Sequence, residues 1–220
     1  MQHSLSVALA ALPLVAPTAR TACAGWTAHE LRAHLAAGAS ERAAAVEHAV
    51  TGTARPRVRY EEFLALPDDR LRAAVVLQAR RVERLARCAN GSALVGGTRF
   101  SAARLLTHQN SEAAIHCWDL LGADGINDAV LARPELTEHA VFLGDVLPGP
   151  GTARVLLRSP GRADVLWHGG RAEFADGASA NVVLDTDPAQ RLLLLWGRRP
   201  TARPVRPRGL DHGSREPSSG

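Results

Sequence analysis

Apolar residues recur at helical spacing through most of the first 120 residues, then give way to short strand-like runs after Pro134. That change of period limits the fold more than any other feature. Thr27 with Glu30 three residues later has the spacing of a capping box. Behind it, Leu31, Leu35 and Val46 predict a helix over 28–49, with Gly38 inside it. Residues 51–59, with Gly52 and Pro56, read as a loop. Pro67-Asp68-Asp69 opens a third helical stretch whose apolar face is Leu71, Val75, Val76, Leu77, Val82 and Leu85, and Gly91, Gly96 and Gly97 close it. A further helix begins near Ser101 and carries Leu105, Leu106, Ala113 and Leu120. With a short N-terminal helix this makes four, a count suited to an antiparallel bundle. Beyond Pro134, segments 154–158, 163–167, 171–174 and 181–184 have strand character, and Asp187-Pro188 starts a last helix. The predicted class is therefore α+β: a helical bundle over 1–130, a small α+β domain over 131–199, and a disordered Arg/Pro-rich tail over 200–220.

Charge excludes one class of partner. All 26 basic residues are Arg, and the net charge is +4. Six of those Arg lie at or beyond position 198, against only Asp211 and Glu216, so the body of the chain is neutral. A basic tail on a neutral body lacks the basic face that nucleic-acid binding requires. No run approaches the roughly 20 apolar residues of a membrane span. Leu5 to Val15 resembles a signal core, but no Lys or Arg precedes it, and the segment reads as a short helix ending at Pro13 or Pro17. Cys23, Cys88 and Cys117 form neither a close pair nor a zinc-ribbon pattern, which fits reduced thiols in a cytoplasmic protein. Cys23 is expected to be a small buried structural residue.

Chemistry concentrates at Glu112 and His116. Four residues apart on a helix, they stack on one face about 6 Å apart along the axis. Such a pair is commonly a solvated hydrogen bond, yet its neighbours Ala113, Ala114, Ile115 and Trp118 make a poor solvated face. A third ligand from a facing helix would complete a metal site with an open position. His29 and His34 differ by about 140° around their helix and cannot share an ion. His34 and His48 share a face but lie roughly 21 Å apart. His34, flanked by Leu31 and Leu35, reads equally as a ligand or as a satisfied core histidine. His108, four residues before Glu112, is the reserve ligand.

Three blocks carry a resemblance that spacing alone does not supply. Cys23-Ala-Gly-Trp26-Thr with Leu31 and His34-Leu35, Glu112-Ala-Ala-Ile-His116-Cys-Trp118-Asp119, and Leu195-Trp196-Gly197-Arg198 resemble, in order, motifs of the mycothiol-dependent maleylpyruvate isomerase family. The resemblance implies a DinB-like four-helix bundle with a small C-terminal domain, and a divalent ion, zinc or similar, on His34, Glu112 and His116. It also implies mycothiol as thiol cosubstrate for an isomerase or S-transferase acting on a small electrophile. A non-catalytic metal- or thiol-binding accessory protein of the same fold is the alternative. Arg198 is the candidate catalytic residue, able to pair with a carboxylate through its planar fork, or else simply opens the basic tail. Two departures stand out: Cys117 occupies a position where the family has Arg, and the N-terminal helix is short.

Overall fold

Thr27 accepts a hydrogen bond from the Glu30 amide while the Glu30 carboxylate reaches back to the Thr27 amide, and this reciprocal cap starts helix α1, Ala28–Thr51. The computed structural model describes residues 9–123, 125–144, 147, 149–175 and 179–198. The proposed tail lies outside them. Before α1, a helical stretch at 9–11 runs into a 3-10 turn, Leu12–Leu14, in line with the expected early stop. Arg32, fully buried, donates to the carbonyls of Leu12 and Val15 and pairs with Asp68 at 2.7 Å. It thereby ties the N-terminal segment to the start of the third helix.

Ala33, Ala36, Ala39, Ala43, Ala44 and Ala45 are all buried along α1, so neighbouring helices approach its backbone closely. After a short helix α2, Tyr60–Leu64, helix α3 spans Asp68–Cys88 and buries Leu71, Val75, Ala79, Val82 and Ala86, a single stripe at helical period. Leu77, expected on that stripe, faces solvent instead. The glycines expected merely to close α3 build a hairpin, β1 (Ser92–Val95) and β2 (Thr98–Ser101), turned by Gly96 and Gly97 at φ 54° and 82°. Ser101 then caps helix α4, Ala102–Leu121. Nearly every residue from Gln109 to Asp119 is buried, so α4 is the central helix.

The change of period comes later than Pro134. Helix α5 (Gly125–Leu131) and helix α6 (Pro134–Leu143, with Pro at its first turn) precede the strands. The four predicted strands are present: β3 (Val155–Arg158), β4 (Val165–His168), β5 (Arg171–Phe174) and β6 (Val182–Asp185). They form one sheet in the order β5-β4-β3-β6, antiparallel except for β3 with β6. Helix α7, Pro188–Leu195, follows, capped by Asp187 and Gln190. Val46, Val82, Ile115 and Trp118 of the helices share one buried cluster with Val155, Leu157, Val165 and Leu192. Fully buried leucines such as Leu105 and Leu192 each contribute roughly 1.5–3 kcal/mol. The fold is α+β, and its core packs the C-terminal sheet and α7 against the same α4 that carries the Glu112/His116 pair.

Candidate metal centre

His34 projects from α1 and meets Glu112 and His116 of α4. His34 Nε2 lies 3.5 Å from Glu112 Oε2, and His116 Nε2 lies 3.8 Å from the same oxygen. The two imidazoles meet edge to face with centroids 5.0 Å apart, and the Trp26 ring, tilted by 59°, lies 5.1 Å from that of His34. One ligand atom from each of the three falls within 4.8 Å of the others. Donors bound tetrahedrally to a zinc-sized ion at 2.0–2.2 Å sit about 3.4 Å apart, so a small divalent cation fits with little rearrangement. Burial would raise the pKa of Glu112, but the hydrogen bond from His34 and the charges of His116, His108 and Arg42 outweigh it and hold the carboxylate well below its usual range. An ionised carboxylate with two imidazoles is a donor set suited to zinc. His34 lines an open cleft of about 680 Å³ with Trp26, Gly38, Glu41 and Tyr60, so the site has an entry.

Behind His116 stands a network built on Asp119, a residue to which sequence spacing assigns no role. Asp119, 2% exposed, lies 2.8 Å from His116 Nδ1. A carboxylate there directs Nε2 toward Glu112, the usual way an outer partner orients a metal-binding imidazole. Arg198 grips Asp119 with both arms of its fork, Nε to Oδ1 at 3.1 Å and Nη2 to Oδ2 at 2.7 Å. Burial would raise the Asp119 pKa, yet the His116 and Arg198 hydrogen bonds hold it down to about 2. The route of Arg198 into this position is local. Gly197 adopts φ 71°, its N–H reaches Leu194 O, and the Arg198 N–H reaches Leu193 O, a Schellman turn that folds the chain back off α7.

Cys23, expected as a buried structural residue, is instead half-buried and joins this network. Its thiol donates to Asp119 Oδ2 at 3.1 Å and accepts from Arg198 Nη2 at 3.3 Å. Burial and the Asp119 hydrogen bond push its pKa up to about 12, which keeps it protonated. Cys23, His116 and Asp119 also cluster closely enough to chelate. That grouping, however, would consume the Nδ1 already bound to Asp119 and requires a thiolate that the site opposes. Cys117 packs among Ala11, Ala79 and Ala113. The reserve ligand His108 is drawn elsewhere, its Nδ1 lying 3.0 Å from His139 Nε2. Burial lowers these two rings to about 4 and about 3, so both are neutral at ordinary pH.

Among the described residues no helix is long and apolar enough to cross a membrane. No protein of curated function is similar enough in sequence to match. Two solved structures share the fold. A crystal structure of mycothiol-dependent maleylpyruvate isomerase superposes with a TM-score of 0.64 at 21% identity, covering 91% of this chain and 87% of that one. A histidine-to-alanine variant of that enzyme gives 0.64 at 19%, covering 90% and 86%. The family described as the mycothiol maleylpyruvate isomerase N-terminal domain matches residues 2–121, which contain the whole His34/Glu112/His116 trio, and the chain belongs to that family.

Proposed function

We propose that the protein is a metal-dependent enzyme that uses mycothiol, or a closely similar small thiol, to isomerise or conjugate a small electrophilic substrate. The observation that carries this reading is the His34/Glu112/His116 trio, in which three donors of the right kind converge and one of them, His34, lines an open cleft. A divalent ion there would supply the positive charge that makes an incoming thiol acidic at neutral pH. The chain's own groups do the rest. Glu112 stays ionised, Asp119 holds His116 with Nε2 forward, and Trp26 packs against His34. Arg198 enters the proposal as a positioning residue. Its fork is engaged with Asp119, so it acts on His116 through that carboxylate. We place the reaction in the cytoplasm, where small thiols are kept reduced.

Cobalt substitution tests the thiol claim, because sulfur bound to cobalt gives a near-ultraviolet charge-transfer band that oxygen ligands do not. Adding mycothiol to the cobalt-loaded protein is expected to produce that band, and again in the Cys23→Ser and Cys117→Ser variants. No band at saturating thiol with cobalt in place would remove the thiol from the account. Turnover of a thiol-reactive electrophile separates an enzyme from a binding protein of the same fold.

A further inference from the structure

Helix α6 presents Thr137, and helix α7 presents Arg191, to a cleft of about 690 Å³ that shares no residue with the one beside His34. A tight turn makes another wall. The Arg162 amide donates to Ser159 O at 3.1 Å, and Gly161 takes φ 70° after Pro160, the glycine position of a type II turn. Phe174, exposed at the end of β5, also lines the cleft.

Arg191 is 2% exposed, and its Nη1 donates to Ala163 O at 2.7 Å, which ties α7 to the turn. The other edge of its guanidinium, Nε with Nη2, is one that meets a carboxylate through two parallel hydrogen bonds. Arg198 grips Asp119 with the same two atoms. Among the described residues nothing accepts from that edge of Arg191. Its Nε is fully buried without a partner, and so is the Thr137 hydroxyl in the same cleft. A buried polar group left unpaired costs about 1–3 kcal/mol, so two around one cleft call for an acceptor.

Charge sets the kind of acceptor. Asp164 attracts Arg191, but Asp164 Oδ2 already accepts from Arg158 Nε at 3.2 Å, and the repulsion from Arg162 exceeds its pull. Glu138 is a further acid on the cleft wall. The guanidiniums of Arg158, Arg162 and Arg191 thus stand against the carboxylates of Asp164 and Glu138, which leaves one positive charge in excess. A monoanion balances it. Pro134, Ala163 and Phe174 give the same cleft an apolar share, so the monoanion should carry an apolar body.

We propose that the cleft between α6, α7 and the Pro160-Gly161 turn is a second ligand site, separate from the metal centre, for a small apolar monocarboxylate held by Arg191, Arg162 and Thr137. This reading depends on neither the metal nor the thiol.

Hexanoate, with uncharged hexanamide as control, is the probe, titrated calorimetrically into the purified full-length protein at low ionic strength. Wild type should bind hexanoate at least about tenfold more tightly than the amide. Arg191→Gln should weaken hexanoate about ten- to a hundredfold, the span of a hydrogen bond to a charged group. Because Arg191 also holds Ala163, two milder variants keep the test decisive if Arg191→Gln fails to fold. Thr137→Val preserves the buried shape and should cost about three- to tenfold in hexanoate affinity. Arg162→Gln alters an exposed side chain and should cost about two- to fivefold. Both should unfold cooperatively, as wild type does. The visible spectrum of the cobalt-loaded protein should not change as hexanoate binds. No hexanoate binding by wild type, equal affinity for the acid and the amide, or wild-type affinity in both mild variants overturns the proposal. A cobalt spectrum that changes along the binding curve would place the acid on the metal and overturn it too.

Discussion

Asp119→Asn removes one charge from the best-buried part of the site, and its cost can be reckoned in two ways that share the Arg198 contact. The first is the ion pair. The Asp119 side chain is fully buried and that of Arg198 is 20% exposed, so the substitution strands a guanidinium in largely dry surroundings. Breaking a buried pair from one side costs about 3–5 kcal/mol, and the residual exposure of Arg198 moves the expectation to about 2–4 kcal/mol. The second is linkage. A folded-state pKa of about 2, against an ordinary 3.8, corresponds to about 2.5 kcal/mol at neutral pH. Because the folded value is depressed, this stability is present above about pH 4 and is lost as pH falls toward about 2. Urea denaturation at pH 7 should thus show Asp119→Asn about 2–3 kcal/mol less stable than wild type, and the difference should shrink in acid. Metal affinity should fall about 10–100-fold as His116 loses its orienting partner, although every proposed ligand is intact. A variant within about 0.5 kcal/mol of wild type at pH 7 would refute the reasoning.

Two other perturbations test separate parts of the structure. His108 and His139 titrate below the ordinary histidine value because burial disfavours their charged forms, so the unfolded chain takes up protons first. Stability should therefore drop by about 1–2 kcal/mol per ring between pH 7 and pH 5, and urea melts of His139→Phe should show a shallower acid dependence. Gly197→Ala forces a side chain into φ 71° at the turn that delivers Arg198. It should cost about 1–2 kcal/mol by chemical denaturation and weaken metal binding, because a displaced turn no longer presents Arg198 to Asp119.

The parts of the fold legible in the sequence are those governed by local rules. The Thr27/Glu30 cap, the Asp187-Pro188 start, the four strands and the stripe of α3 follow from short-range chemistry, and each is present. Gly96-Gly97 reads in isolation as a helix terminator, although the same dipeptide makes a tight hairpin turn when strands flank it. Helices α5 and α6 are not legible in the sequence, because α5 is short and Pro134 at the start of α6 reads as a boundary between classes rather than as a first-turn residue. At the site, four-residue spacing singled out Glu112 and His116, while spacing alone left His34 open between ligand and core residue. Asp119 stood three residues after His116 in plain view, a separation that places it beside the imidazole on the helix surface. The assembly of Cys23, Asp119 and Arg198 was not legible, because it joins residues 96 and 79 positions apart through tertiary packing.

The central claim is that His34, Glu112 and His116 hold one divalent ion, and elemental analysis of the purified protein tests it most directly. Wild type should carry close to one equivalent, zinc being the expected ion, and replacing any of the three by Ala should abolish it. His108→Ala should retain full occupancy, since that ring is turned to His139. Full metal in His34→Ala, or metal lost from His108→Ala alone, would contradict the account.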